Sequence, residues 1–72
     1  TYNAATKRVA LQLVSAVDMT VWRGGATKTP GTFTLAAGVK SNRSFVVTPG
    51  LVFELRDGSA GGELLFSIPV PL

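Results

Sequence analysis

Apolar side chains fall on every second position over most of this chain, and glycine and proline break the alternation at short intervals. Val9, Leu11, Leu13, Val17, Met19 and Val21 share odd parity, broken by Ser15, while Gln12, Asp18 and Thr20 lie at even positions. A period of two sends successive side chains to opposite faces of an extended backbone, whereas a helix repeats about every 3.6 residues. Residues 8–23 therefore read as one long bent strand, or as two strands meeting near Ser15-Ala16. Ala10, Leu13, Val14 and Val17 also stand at helical spacing, and Thr6 could cap a helix start. Strand is the stronger reading, because β-branched residues and the alternation continue through Val21.

The pattern persists beyond the Gly24-Gly25 pair. A loop over residues 26–31 ends in Thr29-Pro30-Gly31, and a strand over 32–36 puts Phe33 and Leu35 on one face. A polar turn spans 38–43, and a strand over 44–48 turns Phe45 and Val47 inward. Thr48-Pro49-Gly50-Leu51 carries the residues of a type II turn. That twist does not suit a tight two-residue hairpin, so this turn should carry the chain between sheets.

The C-terminal third reads as a hairpin. Leu51, Phe53 and Leu55 alternate with Val52, Glu54 and Arg56 before the loop Asp57-Gly58-Ser59-Ala60-Gly61-Gly62. Leu64, Phe66, Ile68 and Val70 then alternate with Glu63, Leu65 and Ser67. Pairing Arg56 with Glu63, Leu55 with Leu64, Phe53 with Phe66 and Leu51 with Ile68 sets inward residues against inward ones. Pro69 and Pro71 cannot donate ladder bonds and mark an edge or a tail. Two stretches also echo each other, each a Thr-Pro-Gly followed by a Phe-led strand: Thr29-Pro30-Gly31 before Phe33, and Thr48-Pro49-Gly50 before Phe53. They read as two strand–turn units of one fold using similar chemistry. The expected architecture is all-β: one domain over residues 1–72, a small antiparallel β-sandwich or barrel of five to six strands. Residues 1–6 are expected to form an extended arm that reaches a neighbour.

Composition sharpens this. The chain has 72 residues, 46% of them hydrophobic and 15% charged. A domain of this size buries only about 60% of the surface that its unfolded chain exposes. Some apolar surface must then face another chain. Val14, Trp22, Val46, Val52 and Leu65 fall on the side of their strands that should be polar in a sheet with one solvated face. Trp22 beside Arg23 has the make-up of an interface anchor. The expected partner contacts are Tyr2, Val14, Trp22, Arg23, Val46, Val52 and Leu65, made against copies of the chain or a larger protein.

Other chemistries find little support. There is no cysteine and no histidine, which removes thiolate ligands and nucleophiles together with the commonest general base. No serine or threonine has a recognisable activating base. The carboxylates are Asp18, Glu54, Asp57 and Glu63, too few and too scattered for the six to eight oxygen ligands of calcium. Gly24-Gly25-Ala26-Thr27-Lys28-Thr29 lacks the glycine that precedes the lysine of a phosphate loop. Asn42-Arg43-Ser44 matches a glycosylation acceptor and reads better as a solvated turn. No catalytic residue, cofactor or metal is expected, and no segment has the length of a membrane span or the pattern of a signal peptide. The net charge of +3 admits an alternative, a small basic β-barrel that binds nucleic acid through Arg23, Lys28, Lys40 and Arg43 around Trp22. Clustering on one face would be its signature. A carbohydrate- or receptor-binding module on the same loops is a weaker option.

The segment from Phe53 through Asp57-Gly58-Ser59-Ala60-Gly61-Gly62 to Pro69 resembles a strand–glycine-rich loop–strand hairpin of small β-rich structural proteins of tailed bacteriophages. The resemblance covers the last third of the chain. It implies a virion component, either a capsid cement or decoration subunit or a piece of a head or tail fibre, with a capsid or tail protein as partner.

Overall fold

Seven strands form wherever the alternation is sustained, and the computed structural model, which describes residues 1–72, contains no helix. In chain order they are β1 (Tyr2–Asn3), β2 (Arg8–Leu13), β3 (Met19–Gly25), β4 (Gly31–Leu35), β5 (Ser41–Val46), β6 (Val52–Asp57) and β7 (Leu64–Pro69). They make two antiparallel sheets. One has the order β1-β2-β5 and the other the order β4-β3-β6-β7. The all-β expectation holds. The count is seven because residues 8–23 divide into β2 and β3, in different sheets, and because residues 2–3 add a short strand.

The chain changes sheet three times. It crosses at one end after β2 and again after β4, and at the opposite end after β5. The third crossing is the Thr48-Pro49-Gly50-Leu51 turn, in which Gly50 adopts φ of 88°. A positive φ at the third position is what a type II turn requires and what a side chain would resist. The ends are distinct. Loops 14–18, 36–40 and 58–63 lie at the upper end, and turns 4–7, 26–30 and 47–51 at the lower end.

Residues 1–6 do not stand off as an arm. Tyr2 pairs with Val9 and Asn3 with Arg8, and the backbones of Thr1 and Ala10 bond to each other. The apolar ring of Tyr2 packs on its own core, which keeps the segment on the sheet. The C-terminal hairpin also departs from expectation, in register. Leu55 faces Phe66 and Phe53 faces Ile68, a slip of two residues from the expected pairing. A slip of two leaves every side chain on its face, so alternation cannot detect it. The pairing then jumps to Arg56 with Leu64, leaving Leu65 as the extra residue of a bulge. Arg56 consequently meets Glu54, two residues back on the same face, at 2.7 Å instead of Glu63.

The core lies between the sheets: Val9, Phe45 and Val47 from one side, and Val21, Leu35, Phe53 and Leu55 from the other. Phe45 sits between the rings of Phe33 and Phe53, with centroids 5.6 and 5.1 Å away. The two Phe residues come from the echoing Thr-Pro-Gly strands, which flank β3 on either side. The fold is tight. Its accessible surface is 4361 Å², against about 4,250 Å² expected for a compact monomer of its mass. Apolar exposure therefore does not come from loose packing.

Candidate interaction surface

The two sheets meet along two seams, closed differently. At the first, β5 approaches β4, and arginines complete the contact. Arg43 lies at the same parity as Phe45, so its side chain enters the space between the sheets. Its guanidinium sits 4.9 Å from the Phe33 ring centroid. It donates to the Thr34 carbonyl at 3.2 Å, and its Nε to Ser41 Oγ at 2.9 Å. Arg23, at the parity of Val21, donates through Nε to the Thr29 carbonyl at 2.7 Å and lies 5.9 Å from the Phe45 centroid. Planar guanidinium groups suit this position, since they stack on rings while bonding edge carbonyls. Below them, Thr27 and Val47 form a bridge between the sheets.

The second seam, where the upper half of β2 approaches β7, stays open. β1 covers only the lower part of β2, so one edge of Leu11 to Leu13 has no strand beside it. β7 is the outer strand of its sheet. Between them is a cleft of about 400 Å³, lined chiefly by Leu11, Leu13, Val14, Met19, Leu65 and Phe66. No hydrogen bond joins β2 to β7. Val14 at the rim is 62% exposed and Leu65 46%. Ordered strand edges beside an apolar trough form a surface that a further polypeptide can complete.

Of the seven expected contact residues, Val14 and Leu65 share this cleft. Val52 is exposed at the lower end. Tyr2 packs on its own core. Arg23 is half-buried in the closed seam, and Val46 is half-buried at the end of β5. Trp22 lies on the outer face of the four-stranded sheet with its ring across Gly24, in the space that a side chain there would need. The rest of that face is mainly Thr20, Thr32, Thr34, Glu54, Arg56 and Ser67, and the outer face of the other sheet is mainly Arg8, Ala10, Gln12, Asn42 and Ser44. The exposed apolar groups therefore gather at the ends and the open seam rather than on the sheet faces.

Sequence reasoning passed over Leu64, Val17, Val39 and Leu51, all exposed. Leu64 and Leu51 have inward parity, and only the bulge and the turn bring them out. Arg23 and Arg43 did carry a signal, a charged residue at core parity. The four residues of the nucleic-acid alternative share no face. Arg23 and Arg43 are engaged in the closed seam, while Lys28 and Lys40 occupy opposite ends.

No helix is long and apolar enough to cross a membrane. No protein-family model matches the chain, and neither a curated protein nor a solved structure shows significant similarity to it.

Proposed function

We propose that this chain is a non-enzymatic structural subunit that assembles by burying apolar surface against its neighbours, first among them copies of itself. The observation that carries this reading is the open seam. A tightly packed domain leaves Leu11, Leu13, Val14, Leu65 and Phe66 around a trough with two free strand edges. Covering apolar surface stabilises by about 25 cal/mol per Å², and strand edges add backbone hydrogen bonds. The hairpin's resemblance to phage structural proteins supports a virion as the setting, with a capsid cement, decoration or fibre role and a larger capsid or tail protein as a further neighbour.

Light scattering over a wide range of protein concentration tests the reading. Mass rising with concentration is expected, and Leu65→Asp should abolish the rise by placing a charge in the trough. A mass fixed at one protomer throughout overturns self-assembly and leaves only a larger capsid or tail protein as partner.

A further inference from the structure

The few charged side chains are sorted by the fold. Lys7, in the turn before β2, Arg8, at the start of β2, and Lys28, in the loop after β3, all lie at the lower end and are exposed. They are 21 positions apart in sequence at most. The backbones of Lys7 and Lys28 both bond the end of β5, through Val47 and Val46 respectively. The carboxylate nearest that end, Glu54 beside the last residues of β3, is paired with Arg56. Asp18, Asp57 and Glu63 stand exposed at the upper end, where the cations are Lys40 and Arg56, the latter bonded to the Gly62 carbonyl and to Glu54. The other charged side chains are already engaged: Arg23 with the Thr29 carbonyl and Arg43 with the Thr34 carbonyl.

A seven-residue strand such as β3 separates the ends by about 20 Å, over twice the roughly 8 Å screening length at physiological salt. The two ends cannot attract each other within one molecule. Between molecules they can touch. The apolar groups match this division. The mouth of the cleft, with Val14 and Leu65, opens beside the acidic end, while Leu51 and Val52 project at the basic end.

We infer that copies of this chain associate head to tail, the basic end of one seated on the acidic end of the next, with Leu51 and Val52 directed to the cleft. This rests on the assembly reading above and names its partner and polarity. A symmetric contact between like ends would oppose cations to cations or carboxylates to carboxylates, which is disfavoured. A heterologous contact repeats, so it closes into a ring or runs on as a filament.

Charge exchange tests the inference. The doubly substituted Lys7→Glu/Lys28→Glu chain has two acidic ends, and Asp57→Lys/Glu63→Lys has two basic ones. Each alone should associate about tenfold or more weakly than the native chain. An equimolar mixture should regain association, because each end again meets its opposite. Raising salt from about 0.1 to about 1 M, which shortens the screening length from about 10 to about 3 Å, should weaken the native assembly. Thermal melting establishes that the variants fold, and Lys7→Gln/Lys28→Gln, expected to weaken association less, serves if reversal does not. Variants that assemble like the native chain, or a mixture that fails to recover, overturn the inference. If assembly is lost in Leu65→Asp yet indifferent to salt and charge exchange, head-to-tail polarity falls and the assembly reading stands. A native chain that stays monomeric throughout overturns both head-to-tail polarity and self-assembly, and leaves only a larger protein as partner.

Discussion

The closed and open seams are two answers to one problem, how a two-sheet domain of this size finishes its edges. Along β4 and β5 the answer lies within the chain. Arg43 and Arg23 stack on Phe33 and Phe45 and bond carbonyls of Thr34 and Thr29. Where the upper half of β2 nears β7 no arginine bridges the sheets and no hydrogen bond crosses, and the trough is lined mainly by leucine, valine, methionine and phenylalanine, with Gln12 and Ser15. Substitutions at the first seam should therefore damage folding, and substitutions at the second should damage association.

The largest folding effect is expected for Phe45→Ala. Phe45 is 4% exposed and central to the ring cluster, and such a truncation costs about 3–5 kcal/mol. Stability of roughly 0.05–0.15 kcal/mol per residue gives a chain this short about 4–11 kcal/mol in all, so the loss is a large share of it. Denaturant titration should find the midpoint lowered by about a third or more. A Phe45→Ala chain with an unshifted midpoint would show that the closed seam is not the anchor of the fold.

Arg43→Met should follow. It keeps bulk over Phe33 while removing the bonds to Thr34 and Ser41, at a cost of about 1–3 kcal/mol. The drop should appear in the melting temperature, and Arg43→Lys should restore only part of it, since an ammonium group lacks the planar fork. Full recovery with lysine would reduce the seam to a matter of charge.

Gly24→Ala should act mainly on Trp22, the one tryptophan. A methyl group there meets the far end of the indole, so the ring must swing out toward solvent. A red shift in emission with little change in stability is expected. Unchanged emission would mean that the ring does not rest on Gly24.

Leu65→Asp should have the smallest effect on folding, within about 0.5 kcal/mol, because a half-exposed bulge residue away from buried networks is tolerated. Its effect belongs to association. A loss as large as that of Arg43→Met would erase the contrast between the seams and show that the trough is part of the core.

Much of the fold was legible in the residues. Phe33, Leu35, Phe45, Val47, Phe53 and Leu55 all turn inward as their parity requires, and the Pro49-Gly50 turn does carry the chain between sheets. The candidate surface was legible only in part. Val14 and Leu65 were readable as surplus apolar positions, but their common cleft was not, because they meet through two sheets packed together. Trp22 looked free on its outer face until the small residue two places on was seen to receive its ring. Arg23 and Arg43 read as cations open to a partner, and prove to be half-buried struts of the closed seam.

What the sequence determined by itself is the face taken by residues within the regular strands, since alternation is local and needs only neighbouring residues. Tertiary structure decided which edges meet, where the bulge falls, and how the charges are sorted between the ends. Those depend on pairings between distant segments. A shift of two along a strand changes such a pairing completely while leaving the pattern of inward and outward residues as it was.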